Sequence, residues 1–212
     1  MKKSSPLIKI CGIKSLEELN CVSDNGAEWY GIMFVKSSPR YISLQQACKL
    51  INKTPQGLNP VAVVVNPTIS NIENLIQIGF KNIQLHGNET REFCEFIRIK
   101  YKVNLIKSIN INSQKDLLQA ETYKNHVDWL LFDYKDEKEM GGTGKSFDWK
   151  ILSDINLKFD WILSGGLDYT NVVNAIKVTG AKAVDVSSGV EIERGKKSIE
   201  LINKFCNSTK NI

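Results

Sequence analysis

Polar residues and glycines stand at the ends of the apolar runs in this sequence. The first run, LIKIC, ends on Cys11, and a later run, WLLFD, ends on Asp133. A thiolate can remove a proton from carbon and a protonated carboxyl can supply one, so these two residue types suit general acid–base catalysis. The other residues in comparable positions are Arg40, His86, Gly165, Gly166, Ser187, Ser188 and Gly189. They can act together only if the fold brings the ends of distant runs to one place.

Two segments near the C-terminus have the composition of a phosphate-binding site. Gly165 and Gly166 follow one apolar run, and Ser187, Ser188 and Gly189 follow the next. Glycines let backbone N–H groups approach an anion without Cβ clashes, and serines can donate their hydroxyl groups. The alternative is that these glycines only turn the chain. Because two successive segments carry matching features, the sequence favours a phosphorylated substrate.

The segment EMGGTGKSFDW, residues 139–149, looks at first like a nucleotide-binding P-loop. A P-loop requires a glycine, four residues and then Gly-Lys-Ser/Thr. Counting back from Lys145 places Glu139 at the first glycine position, where a carboxylate would face the phosphates. The sequence therefore argues against an NTPase. We interpret the glycines as a loop beside Asp133 that closes over the substrate and excludes water.

The elements that must position these residues repeat along the 212-residue chain. Eight apolar runs recur about every 25 residues, which is the repeat length of a compact (β/α)8 barrel. The runs are LIKIC, YGIMFV, VAVVV, KNIQLH, VNLIKS, DWLLFD, DWILS and KAVDVS. Strands that are apolar on both faces and alternate with helices form a parallel sheet. The pattern predicts a single-domain (β/α)8 TIM barrel over residues 1–212, with a doubly wound open sheet as the alternative.

Capping signals mark the starts of three of the intervening helices. The pairs Ser15/Glu18, Ser43/Gln46 and Ser70/Glu73 each match a capping box, and amphipathic spacing follows the second and third pairs. In a barrel of this kind the active site forms at the C-terminal ends of the strands. The candidate residues all follow predicted strands, so this face is the expected site.

Composition and charge limit the classes of protein that fit. Hydrophobic residues make up 42% and charged residues 24% of the chain, as in ordinary globular proteins. No run is long enough to span a membrane and the apolar run near Met1 is too short for an export signal, so we expect a cytoplasmic protein. Five scattered cysteines without a C-x-x-C pair argue against disulfides and structural zinc. The net charge of +5 is spread along the chain, which argues against nucleic acid and suits a small anionic substrate.

Several motifs in a fixed order resemble phosphoribosylanthranilate isomerase, an enzyme family of the tryptophan pathway. They are KICGI, SPRYIS, QLHGNE, LLFD with GGTGKSFDW, LSGGLDYTNV and VDVSSGVE, and they span Lys9 to Glu191. The resemblance implies an Amadori rearrangement of N-(5-phosphoribosyl)anthranilate to the 1-deoxyribulose form, without metal or cofactor. It also implies that Cys11 is the general base and Asp133 the general acid.

The remaining site residues acquire roles under this resemblance. Arg40 offers a planar fork that suits the anthranilate carboxylate. His86 either hydrogen-bonds the substrate or braces the mouth of the barrel, and the sequence leaves both roles open. The chain departs from the family pattern at Asn88, where aspartate is usual, at Lys14, where threonine is common, and at ERGKKS before the last helix. These departures concern the rim and the final phosphate contacts.

Two other functions share part of this pattern. A related phosphosugar barrel such as indole-glycerol-phosphate synthase would share the phosphate loops, but its catalytic lysine is expected in the opening strands, where the first strand offers Cys11. An inactive phosphate-binding barrel would not need both the acid and the base. The expected partner is a small phosphorylated anthranilate-ribose molecule, with no nucleic acid and no membrane. The sequence leaves monomer and homodimer equally open.

Overall fold

The computed structural model describes residues 5–133, 149–153 and 159–210. The glycine-rich segment expected to form a loop beside Asp133 lies outside these residues, apart from Trp149. No helix in the described part of the chain is long and apolar enough to cross a membrane.

Strands and helices alternate along the chain, and each predicted apolar run overlaps a strand. The strands are β1 Leu7–Cys11, β2 Trp29–Met33, β3 Asn59–Val64, β4 Asn82–Leu85, β5 Asn104–Asn110, β6 Trp129–Asp133, β7 Trp161–Leu163, β8 Ala183–Val186, β9 Glu191–Glu193 and β10 Lys196–Lys197. The helices are α1 Leu16–Asp24, α2 Leu44–Ile51, α3 Ile69–Gln77, α4 Arg91–Tyr101, α5 Gln114–Glu121, α6 Lys150–Ser153, α7 Val172–Thr179 and α8 Ile199–Lys210.

The first eight strands form a closed parallel barrel in chain order. Closure is made by β1, which pairs with β2 on one side and with β8 on the other. In the β1–β8 pair, Ile8 lies opposite Val184 and Lys9 lies opposite Asp185. The predicted (β/α)8 barrel is therefore confirmed, and the doubly wound alternative is excluded because an open sheet would leave both edge strands unpaired.

The barrel interior has an apolar lower layer and a more polar upper layer. A cluster separate from the helix-facing core contains Trp29, Val61, Ile106, Leu131, Ile162 and Ala183. Residues two positions apart on a strand face the same side, so the next inward layer is found by adding two to each number. That layer contains Val63, Ser108, Asp133, Ser164 and Asp185. The polar groups Ser108, Asp133, Ser164 and Asp185 thus lie one layer above the apolar cluster, toward the C-terminal ends of the strands.

Two of the three predicted capping boxes are present. Ser15 with Glu18 caps α1, and Ser43 with Gln46 caps α2. The third prediction, Ser70 with Glu73, is wrong. Helix α3 begins two residues earlier, where the Thr68 hydroxyl accepts a hydrogen bond from Asn71 N (3.2 Å) and Asn71 Oδ1 accepts one from Thr68 N (3.0 Å). The capping-box pattern expects Glu or Gln three residues after the cap. Here the Asn71 side chain accepts the hydrogen bond from the Thr68 N–H group in its place.

A two-stranded antiparallel hairpin, β9–β10, lies between the barrel and α8 and was not predicted. It contains most of the ERGKKS segment, and its turn passes through Gly195, which has a φ of +86°. A Cβ at Gly195 would lie 2.7 Å from the Pro39 carbonyl oxygen, so the glycine allows the hairpin to contact the loop after β2. The hairpin thereby places Glu191 and Lys197 beside the barrel mouth.

Candidate active site

A cavity of about 280 Å³ opens at the C-terminal ends of the barrel strands. It contains eight of the nine site residues expected from the sequence, and only Gly189 is missing. Its lining is Cys11, Met33, Arg40, Val63, Gln84, His86, Asp133, Ser164, Gly165, Gly166, Leu167, Asp185, Val186, Ser187 and Ser188. A larger cavity of about 380 Å³ lies beside α2 and α3, but neither Cys11 nor Asp133 lines it. The smaller cavity is therefore the candidate active site.

Cys11 ends β1 with its thiol packed over a glycine of the next strand. The residue is 5% exposed, and the register of the strands places it opposite Gly31. A Cβ at Gly31 would lie only 2.7 Å from Cys11 Sγ and 3.2 Å from Cys11 Cα. The missing side chain at Gly31 therefore makes the space that the thiol occupies.

Replacing Gly31 by alanine is expected to displace the Cys11 thiol and to lower kcat with little change in KM. The new methyl group meets backbone as well as sulfur, so we also expect the free energy of unfolding to fall by about 1–3 kcal/mol, the usual cost of overpacking. Urea denaturation and steady-state kinetics on the same preparation measure the two effects. An alanine variant with unchanged kcat would show that the thiol position is not critical.

A buried ion pair lies beneath the thiol. Lys9 Nζ lies 2.8 Å from Asp185 Oδ1, and Ser164 Oγ donates a hydrogen bond to Asp185 Oδ2 (3.2 Å). Burial lowers the pKa of Lys9, but Asp185 and Cys11 raise it more, so the net pKa is raised and the lysine is a cation. The barrel therefore holds a fixed positive charge two residues before Cys11 on the same strand.

The pKa of the Cys11 thiol is raised above its ordinary value. Burial is the largest cause, and Asp185 adds to it, whereas the positive charges of Lys9 and Lys197 act in the opposite direction. The two lysines therefore limit the effect of burial without cancelling it. The thiol of the unliganded site is mostly protonated at neutral pH, and its reactive thiolate is a minor form.

Asp133 ends β6, and its carboxylate contacts the histidine that follows β4. His86 Nε2 lies 3.4 Å from Asp133 Oδ2, and the two side chains are 33% and 24% exposed. The other ring nitrogen of His86, Nδ1, lies 2.9 Å from Gln84 Nε2. The structure thus brings His86 to the carboxyl group and to the cavity at the same time.

The chain after His86 is fixed by a second buried ion pair. Lys107 Nζ lies 3.0 Å from Glu89 Oε2, and both side chains are 2% exposed. Glu89 accepts hydrogen bonds from the N–H groups of Gly87 and Asn66, and Lys107 donates to the Gly87 carbonyl (2.7 Å). These bonds hold both sides of Gly87, so the backbone that carries His86 has little freedom to move.

Arg40 lies at the mouth with one edge of its guanidinium bound to the hairpin. Its Nε and Nη2 donate to the two carboxylate oxygens of Glu191 at 2.7 and 2.8 Å, and Lys197 Nζ lies 2.8 Å from the same carboxylate. Burial raises the pKa of Glu191, but the bonds from Arg40, Lys197 and Gly195 lower it to about 2. Glu191 is thus an anion at any working pH, and a carboxylate ligand has to share Arg40 with it.

The turns after β7 and β8 meet through a glycine. Gly165 and Gly166 have φ values of +88° and +68°, a conformation that side chains other than glycine rarely adopt. A Cβ at Gly189 would collide with the backbone carbonyl of Leu167, so Gly189 allows the two turns to pack together and does not itself line the cavity. Ser187 Oγ donates to the Cys11 carbonyl (3.1 Å), whereas Ser188 is exposed at the cavity.

Several residues of the site were not anticipated from the sequence: Lys9, Gln84, Asp185, Glu191 and Lys197. Lys9 and Asp185 could have been inferred from the sequence, because each is the one charged residue within an apolar strand, LIKIC and AVDV respectively. In a closed barrel the first and last strands are neighbours, so opposite charges in these runs predict an ion pair. Among the described residues, no group of three or more His, Cys, Asp and Glu is placed to hold a metal ion.

The fold and the cavity together define the class of protein. A thiol from β1 and a carboxyl from β6 enter one pocket at the C-terminal face of a (β/α)8 barrel, with glycine turns beside them. This is the arrangement of an enzyme active site in that fold.

Comparison with known proteins then gives the family. Residues 8–208 match the family model described as N-(5'phosphoribosyl)anthranilate (PRA) isomerase. The N-(5'-phosphoribosyl)anthranilate isomerase of Zymomonas mobilis subsp. pomaceae is 41% identical over 93% of this chain and 94% of its own. The chain belongs to the N-(5'-phosphoribosyl)anthranilate isomerase family.

Solved structures of the family agree with this assignment. The phosphoribosyl anthranilate isomerase of Thermotoga maritima has a TM-score of 0.89 and 34% identity, covering 98% of this chain and 100% of its own. A phosphoribosyl anthranilate isomerase in complex with reduced 1-(o-carboxyphenylamino)-1-deoxyribulose 5-phosphate has a TM-score of 0.86 and 32% identity, with the same coverage of both chains. The whole barrel is therefore shared with proteins of this family.

Proposed function

We propose that this protein catalyses the Amadori rearrangement of N-(5-phosphoribosyl)anthranilate to 1-(2-carboxyphenylamino)-1-deoxyribulose 5-phosphate in cytoplasmic tryptophan biosynthesis. The observation that carries the proposal is the presence of Cys11 and Asp133, from β1 and β6, in the lining of one cavity. The reaction requires an acid and a base on the same substrate. Membership of the isomerase family supports the assignment.

Asp133 is assigned the first proton transfer. The C1′–O4′ bond of the ribose ring breaks with its electron pair moving to O4′, which takes the proton of the Asp133 carboxyl group. The amine nitrogen supplies its lone pair to form the C1′=N double bond of an iminium ion. Asp133 is left as a carboxylate, with His86 Nε2 3.4 Å from its Oδ2.

Cys11 is assigned the second proton transfer. Its thiolate takes the proton from C2′, and the electron pair of that C–H bond forms the C1′=C2′ double bond while the iminium nitrogen becomes neutral. The resulting enolamine tautomerises to the ketose product. Because burial keeps most of the thiol protonated, the positive charges of Lys9 and Lys197 are expected to sustain the reactive fraction.

The two charged ends of the substrate need separate anchors. We assign the phosphate to the turns after β7 and β8, where Gly165, Gly166 and Ser188 line the cavity and backbone N–H groups can approach an anion. The anthranilate carboxylate is assigned to Arg40, through the guanidinium N–H groups that Glu191 does not occupy. This assignment leaves Cys11 and Asp133 for the reacting carbons.

The runner-up function, an indole-glycerol-phosphate synthase, requires a catalytic lysine that reaches the substrate. The lysine of the opening strand, Lys9, is completely buried, does not line the cavity and is paired with Asp185. A passive phosphate-binding barrel has no use for the acid and the base. The isomerase therefore remains the function best supported by the site.

The direct test follows consumption of N-(5-phosphoribosyl)anthranilate by its fluorescence, with chromatographic identification of the product. We expect the 1-deoxyribulose product to accumulate without further conversion. Failure to consume this substrate, with conversion of added 1-(2-carboxyphenylamino)-1-deoxyribulose 5-phosphate to indole-glycerol phosphate, carbon dioxide and water, would instead support the synthase. Binding of the substrate without turnover would support the passive barrel.

Replacing Arg40 by lysine is expected to raise KM by about tenfold while kcat changes little. Lysine keeps the charge but cannot make a bidentate contact, and a hydrogen bond to a charged group contributes about 1.5–3 kcal/mol. The matched control is Arg98→Lys, because Arg98 pairs with Asp128, which precedes β6 at the opposite end of the barrel. An unchanged KM in the Arg40 variant would remove Arg40 from the substrate site.

A further inference from the structure

We propose that Gln84 is a positioning residue that keeps the proton of His86 on Nε2, so that this N–H faces Asp133 when the carboxyl gives up its own proton. The inference deepens the proposed function and rests on Asp133 as the acid. Its structural part, the position of the proton on His86, can be tested without the reaction.

The three side chains form a continuous chain from the barrel interior to the cavity. Gln84 lies on β4, inside the barrel and 1% exposed, with Nε2 2.9 Å from His86 Nδ1. The opposite ring nitrogen, Nε2, lies 3.4 Å from Asp133 Oδ2. An amide N–H group can only donate, so a hydrogen bond from Gln84 needs the lone pair of Nδ1, and the single proton of the neutral ring then lies on Nε2.

The orientation of the Gln84 amide is set by what surrounds its other end. Among the described residues, Gln84 Oε1 is buried and has no hydrogen-bond partner. Turning the amide over would place its NH2 group at this position, where two N–H donors would lack an acceptor. Buried donors without partners are rarer in proteins than buried carbonyl groups without partners. The orientation with Nε2 toward His86 is therefore favoured.

The tautomer matters because of the charge that forms on Asp133. As the carboxyl protonates O4′ it becomes an anion, and an N–H group directed at Oδ2 stabilises that anion in the transition state. The opposite tautomer would direct a lone pair at the same oxygen and repel it. The 3.4 Å separation is longer than a fully formed hydrogen bond, as is common in active sites without substrate.

The surroundings of His86 keep the ring in this position. Asp133 and Gln84 contact its two nitrogens, and the ion pair of Lys107 with Glu89 fixes the following residue, Gly87, on both sides. Lys107 and Glu89 neutralise each other, and among the described residues Asp133 is the carboxylate paired with the ring. A change at Gln84 should therefore act on the proton of the ring more than on its location.

The test reads the two histidine rings by 15N NMR of the full-length protein at about pH 8, above the ordinary titration range of histidine. The chain has two histidines, so the variant His126→Gln assigns the signals of His86 without ambiguity. In the wild type we expect a protonated Nε2 and an unprotonated Nδ1. A proton on Nδ1 of His86 in the wild type would overturn the proposal.

The decisive variant is Gln84→Glu. A carboxylate can only accept, so it should draw the proton to Nδ1 and reverse the two 15N signals of His86. Gln84→Met removes the donor at similar size, so it should weaken the preference of the His86 proton for Nε2 without reversing it. This variant replaces Gln84→Glu in the test if the glutamate variant does not fold. Gln119→Met on the exposed face of α5 is the control and should leave His86 unchanged. Unchanged His86 signals in both Gln84 variants would refute the role of Gln84.

Kinetics then connect the tautomer to the reaction. We expect Gln84→Glu to lower kcat by about tenfold or more with little change in KM. In enzymes where the histidine ring itself transfers the proton, the wrong tautomer lowers kcat by about 10⁴-fold. The effect should be smaller here, because His86 only assists Asp133. A reversed tautomer with unchanged kcat would show that His86 does not assist Asp133. A wild-type protein without isomerase activity would instead reject the proposed function, whatever the NMR result.

Discussion

Replacement of Asp133 by asparagine is expected to lower kcat by about 10²-fold or more, the usual scale for losing a positioned proton donor. The amide matches the carboxyl in size, so packing at the end of β6 should be retained. It has no proton that it can release to O4′, so ring opening should stall. Steady-state kinetics with the fluorescent substrate measure the loss.

The affinity for ligand separates this effect from a damaged site. Reduced 1-(o-carboxyphenylamino)-1-deoxyribulose 5-phosphate, the ligand of a related isomerase structure, should bind the variant nearly as well as the wild type. The control is Asp160→Asn, an exposed residue just before β7 at the opposite end of the barrel. If kcat survives within a few-fold, Asp133 is not the acid. The next candidates are then Asp136, Glu137 and Glu139, which lie outside the described residues.

Replacement of Cys11 by serine should have an effect at least as large, with kcat reduced by about 10²–10⁴-fold. A serine hydroxyl fits the space beside Gly31 but does not ionise in the working pH range, so the C2′ proton has no base. Cys48→Ser, on the partly exposed face of α2, is the matched control and should retain full activity. A Cys11 variant with near-normal kcat would assign the base elsewhere.

The pH dependence gives this prediction a direction. The base acts as thiolate, and burial raises the pKa of Cys11, so the rate at which iodoacetamide alkylates Cys11 in the wild type should rise with pH and reach half its plateau above the ordinary cysteine value of about 8.5. The serine variant should lack this rise. A midpoint well below 8.5 would mean that Lys9 and Lys197 outweigh burial in solution.

The sequence predicted the barrel and most of the residues that line its cavity. Both predictions depend on the regular spacing of the apolar runs along the chain. Strand ends in a parallel barrel meet at one face, so Cys11 and Asp133 could be placed together once the strands were identified. Contacts that depend on register were not accessible. The approach of Gly31 to the thiol, and the carboxylate of Glu191 on Arg40, require the pairing of strands and hairpins that only the structure gives.

The start of α3 and the role of Gly189 differ from the prediction because the residues there fit more than one local structure. Ser70 with Glu73 and Thr68 with Asn71 are both acceptable starts for α3, and the sequence pattern alone did not decide between them. Gly189 was assigned to ligand contact because glycine suits both an anion site and a close approach of two turns. The structure favours the second use, since the Leu167 carbonyl occupies the space of a side chain there.

The pair of Lys9 with Asp185 bears on how the chain folds during its synthesis. The two residues are separated by 176 positions, so the pair forms only after nearly the whole chain has been made. Until then the inner face of β1 carries an uncompensated charge, which opposes premature collapse of the first strands into a dry core. Slippage of β8 by one residue would turn Asp185 to the outer face, so the pair also selects the correct closure. We therefore expect truncated chains that lack β8 to remain open and hydrated, and ring closure to be the last step of folding.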